Sequence, residues 1–159
     1  MVKGARIIVG ALSLSASALV GIAVHEDYRD TAHLPTPHDV PTIDFGSTTH
    51  ADGRPVKLGD KSNPVRGLIR LGQDVDQKQG QLRACMGDVA LHQHEWDAFV
   101  SWAYNVGTGA ACGSTLVRKL KAGDYAGACK ELLRWTKQAG RELPGLVKRR
   151  QQEYAQCVG

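Results

Sequence analysis

Among the side chains of this 159-residue sequence that could do chemistry, Glu26 stands out by position. It follows directly on an uncharged run, Ile7–Val24. A carboxyl group held beside an apolar element resists ionisation, as a general acid must near neutral pH. An ordinary solvated glutamate is the competing reading. Asp27, Asp30, Asp39 and Asp44 follow within 18 positions and offer a partner carboxylate, the pairing that glycoside hydrolysis uses. His92-Gln93-His94 supplies two imidazoles, but i, i+2 spacing on a helix splays the rings apart, so they read as solvated histidines at a helix start and not as metal ligands. The sequence contains no Gly-x-Ser-x-Gly elbow, phosphate loop or Cys-His signature, and neither metal nor cofactor is called for.

The elements that must position these residues divide the chain. Residues 25–62 carry His25, His33, His38 and His50 among Pro35, Pro37, Pro41, Pro55 and several Gly, Thr and Asp. This density of helix breakers predicts loop, with a short hairpin around Pro41–Thr48. From Asn63-Pro64 onward the pattern is helical. Val65, Leu68, Ile69, Val75, Leu82 and Cys85 recur near the helical period, as do Trp96, Phe99, Trp102, Ala103 and Val106, closed by Gly107. Ser114 or Thr115 caps a short helix that ends at Gly123. Asp124 caps the next, with Gly140 as its stop, and Leu146, Val147, Arg150, Tyr154 and Cys157 form the last. The expected class is α+β and predominantly helical, a small loop-and-hairpin lobe followed by a helical C-terminal lobe.

Length and composition fit one domain, and 42% hydrophobic with 23% charged residues excludes wholesale disorder. A net charge of +4 suits an anionic partner without choosing among nucleic acid, membrane and cell wall. Cys85, Cys112, Cys129 and Cys157 include no CxxC pair, and the nearest two lie 17 positions apart, against a zinc ribbon or redox motif. In an exported chain they read as two disulfides. A bridge between the last two long helices would join Cys129 to Cys157 and leave Cys85 with Cys112, although four cysteines allow three connectivities.

Export is suggested by the N-terminus. Lys3 and Arg6 precede the 18-residue run Ile7–Val24, in which nine residues are Ala, Gly or Ser. The length just reaches across a bilayer, yet the composition leaves insertion near balance. Such a segment could enter a membrane and leave it, and its small residues would let it pack closely against the protein body afterwards. Ala16-Ser17-Ala18 keeps a cleaved signal peptide open as the alternative.

In combination, several stretches resemble phage endolysins of the muramidase type, glycoside hydrolase family 24, and more narrowly those with a signal-anchor-release segment. They are Val24-His25-Glu26 with Tyr28, Val40-Pro41-Thr42-Ile43 with Phe45-Gly46, and Trp96 through Ser101. Tyr104-Asn105-Val106-Gly107, Cys112 through Leu120, Gly123-Asp124, Leu133-Arg134-Trp135, Gly145-Leu146 and Arg149-Arg150 with Glu153 complete the set. The resemblance implies a lysozyme-like fold, an anchor at residues 1–24 and a catalytic domain at 25–159. It implies hydrolysis of the β-1,4 bond between N-acetylmuramic acid and N-acetylglucosamine in peptidoglycan by a monomer without a nucleic-acid partner. The enzyme would be tethered inactive in the host inner membrane through residues 7–24 and then released, active, into the periplasm.

Glu26 matches the family acid, Thr42 the threonine near the attacked carbon, and Tyr104 and Asn105 the substrate-binding stretch. The spacing from Glu26 to Thr42 is one residue longer than the family's. Its middle carboxylate would fall on Thr36, which leaves Asp39, the nearest carboxylate, as the second catalytic residue. Asp27 and Asp44 stand where the family usually has Gly, at positions whose backbone shape suits Asp less well. A wall-binding relative with weakened or lost activity and a lytic transglycosylase are the alternatives.

Overall fold

The computed structural model describes residues 4–159. Its elements are predominantly helical with three two-stranded antiparallel sheets, the expected class. Two compact units result: one joins the N-terminal residues through Ala18 to Lys78–Gly159, and the other is Leu19–Gln77.

The larger unit is organised by α3 (Gln93–Val106), in which Glu95 through Ala103 are buried without interruption. A helix apolar around most of its circumference must be enclosed by others. Its closest neighbour is α7 (Pro144–Val158). Here Arg150, read from the sequence only as a member of the last helix, is fully buried. It is compensated by Glu153 at 2.7 Å, which also takes a hydrogen bond from Ser101 Oγ on α3 at 2.8 Å. Buried charge is tolerated only when paired in this way. Trp102 meets Trp135 edge to face at 5.3 Å.

Between α3 and α7 run α4 (Thr108–Cys112), α5 (Thr115–Lys121) and α6 (Tyr125–Leu132). Ser114 Oγ accepts from Val117 N, and Asp124 caps α6 at Gly127 N, as their residue types predict. Gly140 does not stop α6. That helix ends at Leu132, and Gly140 with Ala139, both at positive φ, turns a hairpin between β5 (Lys137–Gln138) and β6 (Arg141–Glu142), the two-residue turn such a pair favours. Cys85 bonds to Cys112 and Cys129 to Cys157, each pair 5.7 Å apart at Cα, so one of the three open connectivities is realised.

The N-terminal run does not form one continuous helix. Ile7–Ile8 (β1) pairs with Ala90–Leu91 (β4), Val9–Ala11 makes a 3-10 turn, and α1 covers Ala16–Glu26. No described helix is long and apolar enough to cross a membrane. Of the nine small residues, Gly10, Ala11, Ser13, Ala16 and Ser17 are exposed and Ser15, Ala18, Gly21 and Ala23 are half-buried, while Val9 and Leu12 are buried.

Polar clamps do the holding. Arg83 donates to Val9 O at 3.2 Å and Leu12 O at 2.6 Å. Gln79 Oε1 accepts from Leu14 N at 2.7 Å, and Asp97 accepts from Ser15 N and Oγ at 3.0 and 2.7 Å. Arg6 makes two bonds to Glu95, at 2.8 and 3.1 Å. Main-chain carbonyls and amides leaving water need such partners, and this segment finds them on Gln79, Arg83 and side chains of α3.

Burial opposes ionisation of Glu95, but the bonds from Arg6 and the His92 N–H outweigh it and hold the carboxyl below its ordinary value. A carboxyl depressed in the folded state contributes stability above its unfolded value, about 4.3, and loses it as pH falls through the folded one. Acidification below about pH 4 is therefore expected to loosen the N-terminal clamp. Hydrogen exchange at the Val9 amide, bonded to Val89 O at 2.9 Å, should show it as lost protection after correction for intrinsic rates. A Glu95→Gln protein should lack that pH step; equal steps in both proteins would place the effect elsewhere.

In the smaller unit, β2 (Arg29–His33) pairs with β3 (Thr42–Asp44), and Ala32, Ile43 and Val56 make a small core. The expected hairpin turn is present, Ile43 and Ser47 exchanging bonds of 3.0 and 2.9 Å around Phe45-Gly46. The sequence reading omitted β2 because Arg29–His33 has only Ala32 facing inward.

Pro64–Met86 forms α2, begun as expected by Asn63, whose Oδ1 accepts from Arg66 N. Ser47 Oγ donates to Asp74 Oδ2 at 2.7 Å and Arg70 pairs with Asp74 at 2.6 Å, fastening the β3 turn to this helix. The apolar period of α2 was only half a core signal. Leu71, Val75 and Leu82 are buried, with Gln79 and Met86, whereas Val65, Leu68 and Ile69 are exposed. In its first turns the packed side is that of Gly67 and Leu71.

Candidate active site

Glu26 is the last residue of α1, half-buried, and Asp27 turns the chain from that helix toward β2 with φ at 54°. Tyr28 then stacks against Phe45, ring centroids 5.4 Å apart, which ties the end of α1 to the turn after β3. Register places Asp44 opposite Arg29 and Thr42 opposite His33, with an irregularity between. Thr42 is buried on β3, and the intervening loop carries Asp39.

Asp39 is exposed, and its carboxylate accepts a 2.9 Å bond from Thr36 Oγ1 while its amide donates to Thr36 O at 3.1 Å. Thr36 is the position at which the resemblance would place the middle carboxylate. Its hydroxyl is the group that holds the Asp39 carboxylate in this loop. Asp30 lies exposed on β2 with Thr31 Oγ1 bonded to it.

Tyr104 and Asn105 belong to the other unit, at the last turn of α3, where Lys78 Nζ sits 4.6 Å above the Tyr104 ring and donates to its carbonyl at 3.4 Å. His92 and His94 stack at 5.3 Å instead of splaying. His92 is the N-cap of α3, with extended backbone, and so lies outside the helical period. No group of three or more potential metal-binding side chains occurs among the described residues.

Asp27 and Asp44, flagged because Gly was expected, are two of the three non-Gly residues with positive φ among the described residues, at 54° and 59°. Asp enters this region more readily than most residues but still at a cost. Asp44 adds a second cost: it is buried with Oδ1 unbonded, and Tyr28 Oη beside this turn is likewise unbonded. Burial, helped by the Asp44 and Asp30 carboxylates, pushes the Tyr28 hydroxyl above its ordinary value. Gly67 leaves room for this cluster, since a Cβ there would lie 3.0 Å from both Asp44 Oδ1 and the Tyr28 ring.

Asp44→Gly is therefore expected to stabilise the protein by about 1–2 kcal/mol, through relief of backbone strain and of a buried unpaired oxygen. Thermal unfolding should shift upward by about 3–6 °C. An unchanged or lower midpoint would mean that Asp44 is held by more than its backbone.

Sequence reasoning missed the contributions of Tyr28, Gly67, Arg83 and Asp97. Only Glu95 carried a local signal, its position three after His92 as the acidic half of a capping box.

A helical protein with a small strand lobe, and a carboxyl at a helix end leading into that lobe, has the build of the lysozyme-like glycoside hydrolases. Comparison with known proteins makes the assignment narrower: residues 23–153 match the phage lysozyme family, and the chain belongs to it. An endolysin of Acyrthosiphon pisum secondary endosymbiont phage 1 is 36% identical over 118 residues, covering 72% of this chain and 77% of that protein. The SAR-endolysin of Escherichia phage Mu is 42% identical over 131 residues, 80% of this chain and 68% of that one. The endolysin of Bacillus phage B103 matches over 65 residues at 51% identity, 41% of this chain and a quarter of that protein. Among solved structures, an endolysin from Escherichia coli O157:H7 phage FAHEc1 superposes with a TM-score of 0.80 at 29% identity, over 94% of this chain and 95% of that one. A P22 lysozyme mutant gives 0.79 at 28%, over 93% and 99%.

Proposed function

We propose that this chain is an endolysin that hydrolyses the β-1,4 bond between N-acetylmuramic acid and N-acetylglucosamine of peptidoglycan, with Glu26 as acid. The observation that carries the reading is the placement of Glu26 at the end of α1, leading into the hairpin that bears Thr42, within a family match that runs from residue 23 to 153. Glu26 gives its proton to the glycosidic oxygen as the bond to the anomeric carbon breaks. A water adds its hydroxyl to that carbon. Asp39, supported in this role by its bond from Thr36, orients the water and takes its proton, and Thr42 helps to position it. Separations of about 6.5–9.5 Å between the carboxyl groups would invert the sugar, and about 5–5.5 Å would retain it. Tyr104 and Asn105 contact the glycan.

The same reading takes residues 1–24 as a signal-anchor-release segment and 25–159 as the catalytic domain. SAR-endolysin relatives support it, as does the capture of Arg6, Leu14 and Ser15 by side chains of the protein body. The enzyme acts as a monomer, is held inactive at the inner membrane through residues 7–24, and becomes active on release into the periplasm. Peptidoglycan is its partner and nucleic acid is not.

Digestion of purified peptidoglycan with mass analysis of the products tests the chemistry. Reducing muropeptides with a full water added are the expected products, and fragments one water lighter would identify a lytic transglycosylase. The positive φ at Asp27 and Asp44 favours one second reading, an attenuated enzyme. A faster initial rate in the Asp27→Gly, Asp44→Gly protein than in the parent would support it.

A further inference from the structure

The first turns of α2 present an apolar face that nothing in the smaller unit covers. Val65, Leu68 and Ile69 are 67, 49 and 57% exposed. At i, i+3 and i+4 they form one stripe on the helix surface. Scattered surface hydrophobes are ordinary, but a contiguous stripe beside cations is the pattern of a surface that lies on a membrane.

The cations are present. Ile69 also borders a hollow of about 360 Å³ whose wall carries Arg54, Lys61, Arg66 and Arg70 against the carboxylates of Asp44 and Asp52. Asp52 is engaged by Arg54 at 2.8 Å, and Arg70 by Asp74 at 2.6 Å. Lys61 and Arg66 are exposed, and neither has a carboxylate partner among the described residues. The stripe and its basic border therefore lie together on one helix face and the loop leading into it.

We infer that this face docks on an anionic phospholipid surface, with Val65, Leu68 and Ile69 entering the headgroup boundary and Lys61 and Arg66 meeting the lipid phosphates. Charge complementarity selects this occupant. An apolar partner protein or a second copy would use the stripe but leave two unpaired cations at its edge, whereas anionic lipid engages both. The inference goes beyond the muramidase reading and does not depend on it. It gives the folded chain a reversible hold on the membrane that is separate from the Ile7–Val24 segment.

The test is co-sedimentation of the full chain carrying Glu26→Gln, which removes the proposed activity from the readout. Vesicles of phosphatidylcholine alone are compared with vesicles containing about a third phosphatidylglycerol. Binding to the anionic vesicles only, released at high salt, is expected. Leu68→Glu with Ile69→Glu, and separately Lys61→Glu with Arg66→Glu, should each weaken it at least about tenfold while circular dichroism and the melting curve stay unchanged; all four positions are exposed. Equal binding by both double variants and the parent would overturn the inference and assign any lipid contact to another surface. So would equal binding to neutral vesicles, or a dimer in the parent that Leu68→Glu with Ile69→Glu dissociates without changing vesicle binding. Product analysis with the Glu26 protein reports on the muramidase reading independently.

Discussion

Glu26→Gln is expected to abolish lysis while leaving the fold intact. The amide keeps the shape of the side chain at the end of α1 but has no acidic proton to give the leaving oxygen. General acid catalysis contributes about 10²–10⁴-fold, and the leaving group here is an alcohol with no other donor supplied by the proposed mechanism. A loss of about 10³-fold or more is the expected result, read as turbidity decrease of outer-membrane-permeabilised cells. Because Glu26 is only half-buried, circular dichroism and the melting temperature should be unchanged. Retention of a tenth of the parent rate would remove Glu26 from the acid's role. Asp39→Asn, compared in the same assay, should lose about 10²-fold if it takes the water's proton. An unchanged rate there would transfer that part to Asp30 or Asp44, or leave it with Thr42 alone.

What the sequence made legible was local chemistry. Ser114 and Asp124 cap helices because their oxygens reach the free amides of a first turn, a relation confined to four residues. Asn63-Pro64 begins α2 for a similarly local reason. The two aspartates at glycine positions pointed correctly to left-handed backbone. What remained hidden depended on neighbours distant in the chain. The stripe of Val65, Leu68 and Ile69 has the period of a core face and is exposed, because periodicity records which residues share a side of a helix, not whether anything packs there. Gly140 reads equally as a helix stop or a hairpin turn, and pairing of Lys137 with Glu142 decides it.

Of the candidate site residues, Glu26 and Thr42 could be picked out by motif. Asp39 could be chosen only by nearness, and its bond from Thr36 is a fact of the folded loop. The N-terminal run was the least legible part. Its hydropathy describes a membrane segment, but its structure here is set by Arg83, Glu95 and Asp97, side chains more than seventy positions away.

That segment carries the second large prediction. If Ile7–Val24 is a releasable anchor, its two states compete, one in the bilayer and one clamped to the protein body. Replacing Gly10, Ser13 and Ser17 by Leu should act chiefly on the first of them. All three are exposed in the clamped state, and a side chain added at Gly10 would meet only the edge of Ile8, 4.0 Å away. The clamp itself uses Val9, Leu12 and Ser15 and the carbonyl of Ser13, none of which the substitutions remove; Ser17→Leu costs only the exposed bond between Ser17 Oγ and Ser15 Oγ. In the bilayer, each added Leu contributes roughly −0.5 kcal/mol, and the unfavourable polar contribution it replaces is lost as well. Three such changes shift the balance toward insertion by at least about 1.5 kcal/mol, more than tenfold in population. The triple variant is expected to remain membrane-bound and to delay or lose lysis in cells, yet to match the parent on purified peptidoglycan once extracted and refolded. Intact mass distinguishes the rival pathway: a released anchor keeps its N-terminus, whereas processing at Ala16-Ser17-Ala18 leaves a chain beginning at Leu19. Normal lysis by the triple variant, with a mature protein starting at Leu19, would replace release by cleavage and make this an ordinary secreted enzyme.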